Sequence, residues 1–248
     1  MNEELLEYIR GDKNLNIFRH YKACRMIEKF VMDEIRKIGF CEPEYKLFCV
    51  VRDNVGYDID TMGTQILEDR KAGVVVNKRL VDGMQTLATE EDVKNYDVED
   101  KENFNRIDLF IVIFHELEHV RQAKMYETNT IDNTYLYKDR LLSMYFEEIT
   151  GKRRYYYDNY KTISEETLAN IKAIESTIKF FSKYNIEFTK EELEILKLRM
   201  EKYKTRLTNT QRVNPIDGKT YDLDTLYNLA LQDQAHKIED FSEKSNKR

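Results

Sequence analysis

Only four of the 248 residues are histidine, and two of these stand four apart in His115-Glu116-Leu117-Glu118-His119. On a helix, positions i and i+4 stack on one face, so both imidazoles can reach one ion. Zinc accepts such nitrogens at about 2.0–2.1 Å and, in a reactive site, takes three protein ligands and a water. Glu116, one residue on, points to the flank of that face, where its carboxylate can take a proton from the water as a general base. Zinc lowers the pKa of the water toward about 7, which supplies hydroxide near neutral pH. With so few histidines, about 0.01 matches to this pattern are expected by chance. Six apolar residues, Leu109 to Phe114, lead into His115. They take the helix into a core, where uncoordinated imidazoles would need other partners.

The third ligand must be sought elsewhere. The extended form of the pattern asks for Gly and His where this chain has Gln122 and Met125. His20 and His236 lie in distant segments and read as surface residues. A carboxylate on a second helix is the remaining option, and Glu147, Glu148, Glu165, Glu166 and Glu175 are the candidates. Glu147 and Glu148 sit at a helix end beside Gly151. Glu165 stands three after Thr162, as a capping-box residue would. Glu175 shares a sector with Ile171 and Ile178. Glu166 is favoured, because its face continues through Ala169, Asn170 and Ala173. Small side chains let a second helix approach closely, and Asn170, one turn on, can hydrogen-bond a ligating group. Glu165 and Glu148 are the next choices.

The elements that must position these residues follow from periodicity. Residues 14 to 38 read as a helix stopped by Gly39. Leu47 to Val51 and Gly73 to Val76 are β-prone runs and imply a small sheet. The polar stretch from Thr89 to Asn105 reads as a surface loop. The motif helix spans roughly Arg106 to Tyr126, and another runs over 138 to 150, ending at Gly151. Lys152 to Lys161 reads as a loop rich in Tyr and Arg, ahead of a helix from Ser164 to Lys183. Thr189 and Glu192 form a capping-box pattern at the start of a charged amphipathic helix. A turn at Asn214-Pro215-Ile216-Asp217-Gly218 separates it from a last helix, about Asp224 to Phe241.

The resulting expectation is an α+β, predominantly helical protein. A zincin-like domain over residues 1–185 would hold the small sheet, the motif helix and the Glu166 helix, and 186–248 would be a C-terminal helical appendage. A charged share of 35% with only 8 Gly and 2 Pro agrees with mostly helical structure. The net charge of −6 argues against a general nucleic-acid binder. The acidic start is unlike a signal peptide, and no run of about 18 apolar residues is available to span a membrane. Cys24, Cys41 and Cys49 lack metal-finger spacing and read as free thiols in a reducing cytoplasm.

His115-Glu116-x-x-His119, followed by Glu166 on a later helix, resembles the gluzincin group of zinc peptidases. Glu166-x-x-x-Asn170 is similar to the Glu-x-x-x-Asp of thermolysin-like enzymes, with Asn in place of Asp. The small size, the short sheet ahead of the motif helix and the Ala169-Asn170 pair resemble the compact ImmA/IrrE-type peptidases, which act on regulatory proteins in bacteria and mobile elements. Over residues 45 to 183 the resemblance implies Zn2+ held by His115, His119 and Glu166, Glu116 as catalytic base, and a peptide or protein substrate. It also implies that a sheet edge near the metal pairs with extended substrate. That role would fall to Gly73-Val74-Val75-Val76-Asn77, with Val74 and Val75 at its centre; the alternative is an ordinary buried strand.

Tyr155, Tyr156, Tyr157 and Tyr160 stand just ahead of the Glu166 helix. A Tyr hydroxyl near zinc, with Tyr157 and Tyr160 favoured, could stabilise an oxyanion; the alternative is aromatic cover on the helix entry. Two other readings belong to different classes. One is a catalytically silent zinc-binding scaffold that recognises a protein partner through its C-terminal helices. The other is a toxin or regulator in which the motif is accidental.

Overall fold

The run ahead of His115 is apolar on every side, and a helix of that kind can only be stable when surrounded. In the computed structural model, which describes residues 5–6, 17–53, 63–68, 70–82, 105–131 and 133–245, all seven residues from Ile107 to Ile113 are buried. In chain order the elements are α1 (Ile17–Ile38), β1 (Lys46–Arg52), β2 (Gly63–Glu68), β3 (Lys71–Asn77), α2 (Lys78–Val81) and the motif helix α3 (Asn105–Glu127). There follow α4 (Thr134–Thr150), α5 (Arg154–Asp158), α6 (Ser164–Lys183), α7 (Lys190–Leu207), β4 (Gln211–Val213), β5 (Thr220–Asp222) and α8 (Leu223–Ser245). The protein is predominantly helical with a small sheet, an α+β arrangement. No helix among the described residues is long and apolar enough to cross a membrane.

Two units can be distinguished, residues 1–130 with 169–202 and residues 131–168 with 203–248. Their boundaries fall between α3 and α4, inside α6 and inside α7.

In the first unit the strand order is β1-β3-β2, with β1 parallel and β2 antiparallel to β3. Residues Ala72 to Asn77 of β3 are all buried, as a central strand covered on both faces must be. Helices α1 and α3 pack on this sheet. Phe30, Phe110, Phe114, Phe180 and Phe181 bring α1, α3 and α6 together in mostly edge-on ring contacts, such as the 5.3 Å between Phe30 and Phe180. The polar ends are tied as firmly. Arg106 meets Glu192 through two contacts of 2.6 Å, and Arg199 pairs with the buried Asp108. Glu192 also closes the expected capping box, accepting from the Thr189 N–H at 2.8 Å. These contacts explain why the start of α7 belongs to the motif helix's unit.

All three cysteines are free, with Cys24 and Cys49 buried and Cys41 exposed. Burial pushes both buried thiols up, Cys49 to about 12, so neither is a ready thiolate at neutral pH.

The second unit is built on Leu142, Tyr145, Phe146, Tyr155, Ile163, Leu223, Leu226 and Ala230. Asn133 caps α4, accepting from the Leu136 N–H at 3.0 Å, and Gly151 ends the helix in the left-handed conformation at φ 65°. Residues 152–161, expected to be a loop, contain the short helix α5, held because Tyr155 is buried and stacks on Phe146 at 5.4 Å. The turn at 214–218 joins β4 to β5, with Gly218 at φ 71°. The Thr89–Asn105 stretch lies outside the described residues except for Asn105, which opens α3.

Candidate metal centre

One unbroken helix carries His115 and His119, and their Nε2 atoms converge at 3.0 Å with the rings nearly perpendicular. Two ring nitrogens held this close must share a proton or a cation. Tetrahedral ligands at about 2.0–2.1 Å from one zinc ion would stand about 3.3 Å apart, so the two imidazoles need only a few tenths of an ångström of adjustment. The tautomer suits the same purpose. His119 Nδ1 lies 3.0 Å from Oε1 of Gln122, a wholly buried amide. That oxygen can only accept, so a proton on Nδ1 would be donated to it and Nε2 would be the unprotonated nitrogen. Gln122 occupies the place where the longer histidine pattern has glycine, and sequence reasoning gave it no role.

Glu166, in the first turn of α6, could offer a third donor. Its carboxylate and the two imidazoles offer ligand atoms that lie within 4.8 Å of one another, the one such group of three among the described residues. Helix α6 continues from Ala169 into the first unit, and Ala169 and Ala173 are completely buried. Two nitrogens and one carboxylate oxygen are a donor set that zinc accepts. The other acidic candidates stand apart from it. Glu147 and Glu148 are exposed, Glu165 is half-buried, and Glu175 pairs in solvent with Lys172 at 2.8 Å. Asn170 is half-buried one turn after Glu166. Glu118 is buried but is gripped by Arg121 through two contacts, one of 2.8 Å.

Glu116 is only 6% exposed. Gly63, the first residue of β2, comes so close that a Cβ there would stand 3.2 Å from Glu116 Oε1, 3.0 Å from its Cγ and 2.8 Å from Val112 Cγ1. Val112 is β-branched and stiff on a helix, so it cannot swing aside cheaply. Gly63→Ala is therefore expected to push β2 off α3 and cost about 1–3 kcal/mol, read as a lower urea midpoint. An unchanged midpoint would mean that the strand has room to retreat.

Val74 and Val75 do not form a sheet edge. Both belong to β3, which is paired on one side with β1 and on the other with β2, so its backbone groups are already used. Among the described residues β2 is the edge strand next to α3, and Gly63 brings it against Glu116.

The tyrosines also sort differently from expectation. Tyr157 and Tyr160 are 68% and 50% exposed, whereas Tyr156 donates its hydroxyl to Glu166 Oε1. Burial, and then the charge of Glu166, push the Tyr156 phenol well above its ordinary value, so it stays a proton donor. The Arg153 guanidinium lies 4.8 Å over its ring. Comparison with known proteins yields no similar family model, curated protein or solved structure.

Proposed function

We propose that this protein is a zinc-dependent peptidase of the gluzincin kind, similar in scale to the ImmA/IrrE-type enzymes. The observation that carries the reading is the grouping of one ligand atom each from His115, His119 and Glu166 within 4.8 Å of one another, with Glu116 on the helix of the two histidines. His115, His119 and Glu166 would hold the ion. When bound, zinc polarises a carbonyl and makes water acidic enough to react near neutral pH.

The rest falls to the chain's own groups. Glu116 takes a proton from the attacking water as its oxygen bonds to the carbonyl carbon, then passes that proton to the amide nitrogen as the C–N bond breaks. Its burial keeps competing water away from the carboxylate. Gln122 keeps the His119 ring in one tautomer, and Tyr156 keeps Glu166 in one orientation. An extended substrate would add to the outer edge of β2, with Gly63 bringing that edge close to Glu116.

The test is incubation of the full chain, loaded with zinc, with an unstructured polypeptide such as casein. New amino termini would be detected by mass spectrometry. Cleavage that phenanthroline stops and added zinc restores is the expected result. A chain that retains one zinc and cuts no polypeptide would overturn the peptidase reading in favour of a silent metal-binding scaffold.

A further inference from the structure

Asp139, on α4, is 1% exposed, and its carboxylate accepts four hydrogen bonds. Oδ1 receives the Tyr155 hydroxyl at 2.6 Å and Arg212 Nε at 2.9 Å. Oδ2 receives Arg212 Nη2 at 2.9 Å and the Ser164 backbone N–H at 2.8 Å. A carboxylate offers about four such positions, so this one is saturated. Arg212 is itself 2% exposed, and its Nη1 donates to the carbonyls of Asn209 and Gln211 at 2.9 and 3.0 Å.

Two of the groups tied to Asp139 adjoin the candidate third ligand. Ser164 is the first residue of α6, and its N–H is one of the donors that a helix start leaves without an internal partner. Glu166 follows two residues later. Tyr155 is the chain neighbour of Tyr156, whose hydroxyl donates to Glu166. One carboxylate therefore anchors both the backbone that carries Glu166 and the short helix that carries its hydrogen-bond donor. Buried ion pairs are weak contributors to stability, because desolvation offsets most of the attraction. Their directional bonds nevertheless fix geometry.

We infer that Asp139, locked by Arg212 from the C-terminal hairpin, is a positioning residue that sets the place of Glu166 in the metal site. The inference rests on the metal-site reading above. It gives the C-terminal hairpin a part in holding the start of the Glu166 helix.

The experiment uses the full chain, with zinc affinity read by competition with a chromophoric chelator. Cobalt substitution reports ligand geometry through the intensity of its visible absorption. Asp139→Asn is expected to weaken zinc binding roughly 10–100-fold and to weaken the cobalt bands, while circular dichroism shows the helices intact. If Asp139→Asn does not fold, Ser164→Pro and Ser164→Ala decide. Proline is tolerated at the first helical position but removes the N–H that Asp139 accepts, whereas alanine keeps it. Loss of affinity in the proline chain alone supports the inference. Folded Asp139→Asn or Ser164→Pro chains with unaltered zinc affinity and cobalt spectrum overturn it. Glu166→Ala separates the two levels: if it binds zinc as tightly as the unaltered chain, the metal-site reading itself fails.

Discussion

Glu116→Gln is expected to bind zinc within a few-fold of the unaltered chain and to hydrolyse peptide bonds about 10²–10⁴-fold more slowly. The two effects separate because Glu116 is not among the three convergent ligand groups, yet it shares their helix. Glutamine keeps the volume and one carbonyl oxygen, so the close approach of Gly63 survives. What is lost is a basic oxygen able to hold a proton between water and the leaving amine. Zinc titration and initial cleavage rates on the same preparation check both halves. Equal rates for the two chains would remove Glu116 from the proton's path and sink the base assignment. A parallel loss of zinc would instead make it a metal ligand.

The site is unevenly legible in the sequence, and the unevenness has physical causes. His115 and His119 are placed by helix geometry alone, since four residues make about one turn whatever the rest of the chain does. Glu166 stood out among the acidic candidates because Ala169 and Ala173 share its face, and both alanines are buried. Tyr156 did not stand out. Reading 152–161 as a loop removed the helical phase that separates buried Tyr155 and half-buried Tyr156 from exposed Tyr157 and Tyr160.

Strand order was illegible for another reason. Gly73 to Val76 announces a strand, but whether it is edge or centre depends on pairing with residues outside its own segment. The unbroken apolar run is itself a sign of burial on both faces, and of the two readings it allowed the ordinary buried strand is the one its pairing matches. Arg212 is the extreme case. Its partner Asp139 lies 73 residues away, and no local pattern distinguishes this arginine from those on solvated faces.

His119→Ala is expected to lose about two to three decades of zinc affinity while the metal-free protein keeps its fold. Structural zinc sites of four ligands bind with apparent energies of about 10–16 kcal/mol, so one ligand accounts for roughly 2.5–4 kcal/mol. Two of the three donors would remain, and two do not define a site. The metal-free chain should tolerate the change, because the core of α3 is carried by Ile107 to Ile113 and Val120 and not by the imidazole. Removal of the ring leaves Gln122 without the Nδ1 proton at a completely buried position, a cost of about 1–3 kcal/mol. Thermal unfolding separates the two effects. A ligand at 100 times its Kd stabilises the native state by about 2.7 kcal/mol, so zinc should raise the melting temperature of the unaltered chain and hardly move that of His119→Ala. Equal zinc-induced shifts in both chains would mean that the ion binds somewhere else, and the convergence of the two imidazoles would then require only a shared proton.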